Sequence, residues 1–154
     1  LGYGSNVIGL HLGFLELQAA GEIDRLPRIF GAQAANCAAL HAAWEAGGTA
    51  VDFPISASLA DGITSEKPVR VAEVMTAVRE TGGNIVVADE DEIEMAFWRL
   101  AGAGFFVEPT SATAGAVLSR LIEARIIGRE ETTVLVLTGH GLKAVDKIAW
   151  MSKG

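Results

Sequence analysis

"NIVVADEDEIEMAFWRLA", residues 84–101, passes from an apolar run to a helical pattern without an intervening loop. Residues 84–89 are a short, nearly continuous apolar run, which is typical of a parallel strand covered on both faces. Asp89 and Glu92 stand three residues apart, the spacing of a capping box, and predict a helix that continues to about Ala101. A strand that leads directly into a helix is the repeating unit of α/β folds.

The same alternation continues on both sides of this stretch. Apolar runs predict further strands at 28–34 and 132–137. The remaining predicted elements are helices at 7–20, 36–48, 68–81, 111–125 (capped by Ser111) and from Lys143 onward, a long loop at 49–68 and an extended piece at 104–109. Helix 7–20 is apolar almost all round and should therefore be buried. Because helices separate the strands, the sequence predicts one α/β domain over residues 1–154, with a mostly parallel sheet and helices on both faces.

Composition narrows the class of protein and its partners. The chain has 154 residues, 50% of them hydrophobic, which suffices for one domain with a substantial core. No apolar run reaches about 18 residues, so no membrane-spanning segment is predicted. The net charge of −7 disfavours nucleic acid and anionic membranes as partners. The single cysteine, Cys37, excludes an internal disulfide and fits a reducing, cytoplasmic setting.

The first candidate binding turn is Gly2-Tyr3-Gly4-Ser5-Asn6, directly before helix 7–20. Glycine lets backbone N–H groups approach an anion closely, and a helix N-terminus adds a favourable dipole. The side chains of Ser5 and Asn6 can add hydrogen bonds. The alternative interpretation is an ordinary turn with a Ser or Asn helix cap.

The second candidate turn, Thr138-Gly139-His140-Gly141, follows the apolar run 132–137. A hydroxyl at the end of a strand can hydrogen-bond a heterocycle nitrogen. His140 is either a catalytic group or a loop histidine between two turn glycines, and no Asp or Ser at a suitable spacing supports a catalytic triad. The three histidines, His11, His41 and His140, lack the spacing of a metal site, so no metal is predicted. Cys37 is interpreted as a small core residue rather than a nucleophile.

Four stretches together resemble threonine synthase, a pyridoxal phosphate (PLP) enzyme of the tryptophan-synthase-β type, fold type II. They are "GYGSNVIGLHLGFLELQAAGEIDRLPRIFGAQAANCAAL" (2–40), "SLADGITSEKPVR" (58–70), "FFVEPTSATAGA" (105–116) and "VLVLTGHGLK" (134–143). The resemblance implies that Gly2, Gly4, Ser5 and Asn6 hold the PLP phosphate, although Tyr3 and Ser5 depart from the usual loop of that family. It further implies that Thr138 hydrogen-bonds the pyridine nitrogen and that Ser111 lies in the pocket.

The resemblance also implies a cofactor-bonding lysine in an S-F-K-D-R-like motif, which this sequence lacks. The lysines present have other contexts: Lys67, Lys143, Lys147 and Lys153. We therefore expect this chain to be the C-terminal portion of the PLP-binding domain. It should be inactive by itself and should require the N-terminal remainder of the enzyme as a partner. Some apolar surface should then be exposed, and whether the protein forms a homodimer stays open.

The implied reaction converts O-phosphohomoserine and water to threonine and phosphate, so the expected substrate is a phosphorylated amino acid. Two related enzymes remain open, namely a threonine/serine dehydratase and a paralogue that uses phosphoserine. An interpretation from another class is a noncatalytic α/β binding domain.

Overall fold

The computed structural model describes residues 1–65 and 67–153. Its sheet consists of two parallel strands, β1 (Phe30–Ala34) and β2 (Asn84–Ala88). The register pairs Phe30 with Asn84 and Ala34 with Ala88, so both strands end at the same edge. The predicted strands 28–34 and 84–89 and their parallel arrangement are confirmed.

Helices make up most of the remaining regular structure. The α-helices are α1 (Ser5–Ala19), α2 (Ala39–Glu45), α3 (Val71–Glu80), α4 (Glu90–Gly102), α5 (Pro109–Glu123) and α6 (Val145–Met151). Short 3₁₀ helices occupy Ala35–Cys37, Asp61–Ile63 and Gly141–Ala144. The predicted helix 36–48 is thus divided into a 3₁₀ turn and α2, and the predicted helix 68–81 begins three residues after Pro68.

The two faces of the sheet carry different helices and different cores. On one face α4 and α5 pack around Ile93, Phe97 and Val117. On the other face α2 and α3 pack around Ile85 together with Leu40. The prediction of helices on both faces is confirmed.

The start of α4 has the predicted capping box. The Asp89 side chain accepts from the backbone of Glu92, and the Asp89 N–H donates to Glu92 Oε2 at 2.7 Å. Arg120 of α5 joins both carboxylates, with distances of 2.6 Å to Glu92 and 2.8 Å to Asp89. Burial opposes ionisation of Glu92, but the bonds from Arg120 and from the Asp89 backbone outweigh it and lower the Glu92 pKa. Local capping and the α4–α5 contact therefore reinforce each other.

The predicted strand 132–137 is wrong. No strand forms there among the described residues, and Val134 and Val136 are 82% and 45% exposed. Among the residues that the structure describes, the only strand pairing nearby is an isolated antiparallel bridge between Val107 and His140. An apolar run becomes a strand only where a neighbouring edge offers backbone partners. In the described part of the chain this run meets no such edge.

The predicted burial of helix 7–20 is also wrong. In α1, Val7, Ile8 and His11 are buried, whereas Leu12 and Leu17 are 53% and 42% exposed. The helix packs mainly against α3, so one stripe is covered. The composition of α1 predicted the helix, but the number of neighbours decided its burial. The result is an exposed apolar face, as expected for a portion of a larger protein.

Candidate functional site

The turn before α1 depends on Gly4. Gly4 is the N-cap of α1 and has a left-handed φ of 85°, which favours glycine. A Cβ at this position would overlap Cγ2 of the fully buried Val74 in α3. The turn therefore requires glycine both for its backbone conformation and for its close approach to α3.

The N-terminus of α1 presents free donors beside this turn. The Ile8 N–H donates to Gly4 O at 3.0 Å, so the preceding N–H groups of the first turn have no intrahelical acceptor. Ser5 and Asn6 are exposed, and no side chain caps the helix among the described residues. The alternative of an ordinary Ser or Asn cap is therefore disfavoured. Free N–H groups and the helix dipole make this end of α1 suited to an anion.

Leu1 anchors the turn to β1. Its backbone nitrogen donates to Ala32 O, and its carbonyl accepts from Gln33 Nε2 at 3.0 Å. Its side chain occupies the space that a Cβ on Gly31 would need. These contacts hold Gly2 and Gly4 beside the sheet.

Ser111 holds the second candidate turn. It is buried, accepts from the Gly139 N–H at 2.7 Å, and lies 3.4 Å from Thr138 Oγ1. The predicted cap by Ser111 is wrong, because Pro109 occupies the first helical position and Glu108 is the N-cap of α5. Ser111 instead fixes the turn so that the hydroxyl-bearing Thr138 lies at the surface.

The neighbouring residues of this turn have structural roles. His140 Nδ1 accepts from the Leu142 N–H at 3.2 Å, and its ring packs edge-on against Phe106 with centroids 5.6 Å apart. A Cβ on Gly139 would overlap the Glu108 carboxylate, and one on Gly141 would lie 2.7 Å from the Phe106 ring. These contacts favour the interpretation of His140 as a loop residue.

Residues 57–63, hereafter the bridging segment, lie across the carboxyl edge of the sheet. Just beyond β1, Asn36 Nδ2 donates to Ala57 O at 2.6 Å. Just beyond β2, Glu90 Oε2 accepts from the Leu59 N–H at 2.6 Å. The sequence predicted this region only as part of a long loop. Its position depends on contacts with distant elements, although "SLADGI" in the resemblance was a signal for it.

The bridging segment also contacts the surroundings of both candidate turns. A Cβ on Gly2 would lie 3.4 Å from the Ile63 Cα, and the Gly62 N–H donates to Thr110 Oγ1 at 3.1 Å. Thr110 directly precedes Ser111, which holds the Thr138 turn. The two turns are therefore connected through shared neighbours.

A cavity of about 750 Å³ opens beside the bridging segment and α6. Lys143 and Lys147 line it together with carboxylates. Lys143 lies 3.4 Å from Glu108, and Lys147 lies 2.8 Å from Asp61. The cavity lining does not include the phosphate-turn residues or Thr138, so it adjoins the predicted site without containing it.

Other predicted residues behave as packing groups. Cys37 is fully buried, and burial raises the pKa of its thiol, which suits a core residue rather than a nucleophile. Within residues 1–65 and 67–153, no three His, Cys, Asp or Glu side chains are grouped to hold a metal. No helix in that part of the chain is long and apolar enough to cross a membrane.

The donor set fits a phosphorylated aromatic cofactor. The turn at Gly4 has no room for a Cβ, the N-terminus of α1 has N–H groups without an acceptor, and the Thr138 hydroxyl lies at the surface on a turn that Ser111 holds. A family profile described as pyridoxal-phosphate dependent enzyme matches residues 1–139. The chain belongs to this family. Pyridoxal phosphate, the cofactor predicted above, is the cofactor of the family.

Curated relatives agree with the predicted resemblance to threonine synthase. The threonine synthase of Methanosarcina acetivorans is 34% identical to this chain over 93% of its length, and that of Mycobacterium leprae is 35% identical over 95%. A third, from Methanocaldococcus jannaschii, is 32% identical over 95% of this chain. The chain spans only 36% to 39% of the length of these three relatives.

Maize serine racemase is a similar solved structure. It has a TM-score of 0.68, with coverage of 99% of this chain and 44% of that one. At 18% identity the likeness shows the fold alone. The predicted α/β fold of a PLP enzyme is thereby confirmed.

Proposed function

We propose that residues 1–154 form a single α/β domain, the C-terminal part of the PLP-binding domain of a threonine-synthase-type lyase. The whole enzyme would convert O-phosphohomoserine and water to threonine and phosphate. The observation that carries this proposal is the Gly4 turn at the open N-terminus of α1, in a chain that matches threonine synthases over nearly all its length.

Each predicted site residue has a role in this proposal. The backbone N–H groups at Gly2, Gly4, Ser5 and Asn6 bind the cofactor phosphate, and the last two side chains add donors. The Thr138 hydroxyl hydrogen-bonds the ring nitrogen, and this role is supported by its surface position. PLP, when bound, supplies an electron sink for a substrate carbanion.

Ser111 orients the Thr138 turn in this proposal. Its hydroxyl accepts from the buried Gly139 backbone and so fixes the direction in which the turn faces. A neutral hydroxyl partner leaves the ring nitrogen unprotonated, in contrast to a carboxylate partner.

The lysine that bonds the cofactor is proposed to lie in the N-terminal remainder of the enzyme. Support comes from the ion pairs that already engage Lys143 with Glu108 and Lys147 with Asp61. The remainder is also proposed to cover the exposed apolar face of α1, since apolar surface of this kind favours association. The isolated chain is therefore proposed to be inactive, and the compartment to be cytoplasmic.

The test compares the intact protein with the isolated 154-residue chain. Each is incubated with PLP and then with O-phosphohomoserine, threonine, serine or phosphoserine, while phosphate, threonine and keto acids are measured. We expect threonine and phosphate from O-phosphohomoserine with the intact protein only. Keto acid from threonine or serine would indicate a dehydratase, and phosphoserine turnover would indicate the paralogue. Failure of the intact protein to bind PLP would favour a noncatalytic binding domain.

A further inference from the structure

Lys147 of α6 makes an unusually complete set of contacts for a lysine. Its Nζ donates to Ser58 O at 3.2 Å and to Leu59 O at 3.0 Å, and it lies 2.8 Å from Asp61 Oδ2. An ammonium has three N–H donors, and here three oxygens accept. Because two of these oxygens belong to the main chain, Lys147 fixes the path of the backbone as well as a charge.

The three acceptors belong to the bridging segment, whose other contacts lead to both candidate turns. Ile63 adjoins Gly2, and Gly62 is bonded to Thr110 beside Ser111. Helix α6 itself follows the Thr138 turn after the Gly141–Ala144 3₁₀ helix. Lys147 thus joins the helix that follows the ring-partner turn to the segment that adjoins the phosphate turn.

The neighbouring charges define what would happen without this ammonium. Asp61 faces the same cavity as Glu90, Glu94 and Asp146, and the second lysine there, Lys143, is bonded to Glu108. Removal of Lys147 would leave Asp61 without its ion-pair partner in a cavity that other carboxylates line. Repulsion and the loss of two backbone contacts would then free the bridging segment from α6.

The other lysines of this region lack these features. The Lys143 side chain is 67% exposed and makes one ion pair, at 3.4 Å. Lys153 is exposed, and its ammonium makes no hydrogen bond or ion pair with the described residues. Lys153 is therefore a matched control for the change of charge.

We infer that Lys147 is a positioning residue of the cofactor site, which holds the bridging segment against α6 and so keeps the phosphate turn and the Thr138 turn in a fixed relation. The inference rests on the proposed function. Lys147 acts through the segment and not by contact with the cofactor.

The test uses the intact protein with Lys147→Met, Lys147→Arg and Lys153→Met. Amide hydrogen exchange is measured without PLP, and PLP affinity and the absorbance spectrum of the bound cofactor are measured by titration. For Lys147→Met we expect about tenfold faster exchange confined to residues 57–63 and about tenfold weaker PLP binding with a shifted spectrum. The Lys147→Arg protein should retain most of the wild-type protection from exchange and most of the wild-type PLP affinity. The Lys153→Met protein should match the wild type in both measurements.

Three results would overturn the inference while PLP still binds the wild-type protein. In the first, exchange at residues 57–63 of Lys147→Met is unchanged. In the second, β1 and β2 of this variant exchange faster to the same degree as residues 57–63. In the third, residues 57–63 exchange faster, but the PLP affinity and the spectrum of the bound cofactor are unchanged. A wild-type protein that fails to bind PLP would overturn the proposed function and this inference together. The exchange and binding measurements therefore separate the two failures.

Discussion

Replacement of Gly4 by alanine tests the geometry of the phosphate turn directly. The φ of 85° places Gly4 in the left-handed region, which costs an L-residue about 1–2 kcal/mol. The new Cβ would also overlap Cγ2 of Val74, which is 0% exposed and cannot move away freely. Overpacking of this kind costs about 1–3 kcal/mol, so we expect Gly4→Ala to lower the free energy of unfolding by roughly 2–5 kcal/mol.

The same substitution should weaken cofactor binding. The N–H groups that follow Gly4 are the proposed phosphate donors, and a displaced helix start moves all of them together. A loss of about 1.4 kcal/mol of binding free energy raises the dissociation constant tenfold, and we expect at least that change. Urea unfolding of the intact protein and PLP titration by absorbance measure the two effects separately.

Gly9→Ala is the matched control, because Gly9 is an exposed residue of the same helix and a Cβ there would meet nothing within 4 Å. It should stabilise the protein by about 0.5–1 kcal/mol through helix propensity. In the Val74→Ala background the cost of Gly4→Ala should fall by the overpacking part, about 1–3 kcal/mol. If Gly4→Ala instead behaves like Gly9→Ala in both assays, the assignment of this turn is wrong.

Three further substitutions test the second turn and the α4–α5 contact. Thr138→Val should weaken PLP binding about tenfold by titration, since its exposed hydroxyl no longer bonds the cofactor, and should lower the free energy of unfolding by no more than about 1 kcal/mol, since only the long bond to Ser111 Oγ is lost within the protein. Ser111→Ala should lower the free energy of unfolding in urea by about 1–3 kcal/mol, because the buried Gly139 N–H loses its acceptor. The Glu92 pKa is lowered in the folded protein, so the bridge to Arg120 stabilises the fold above the ordinary pKa of 4.5, and this stabilisation is lost as the pH falls from 4.5 through the lowered pKa. In Arg120→Met the free energy of unfolding should therefore decrease less than in the wild type as the pH is lowered through this range.

The first two of these substitutions each have a control on the same chain. For Thr138→Val it is Thr132→Val at another exposed threonine, and equal cofactor affinities would exclude Thr138 as the ring partner. For Ser111→Ala it is Ser119→Ala, whose hydroxyl only donates to Gly115 O within the same helix, and an equal loss would contradict the role of Ser111. An Arg120→Met protein with wild-type acid sensitivity would show that the bridge to Glu92 does not contribute to stability.

The sequence alone determined those features that arise from neighbouring residues. The capping box of Asp89 and Glu92 joins residues three positions apart, so its donors and acceptors could be read from spacing. The runs that became β1 and β2 and the glycine turn before α1 are likewise local signals. The motifs around Thr138 carried the resemblance to threonine synthases, and with it the family and the cofactor.

Tertiary structure decided every feature that depends on a distant partner. The run 132–137 has strand composition, but pairing requires a free backbone edge, which no local pattern reports. Ser111 is bonded to Gly139, 28 residues away, and Lys147 to Ser58, 89 residues away. The exposure of α1 likewise depends on which elements surround it. Local preferences fix which elements form, whereas burial and hydrogen bonding across the chain depend on the neighbours that folding supplies.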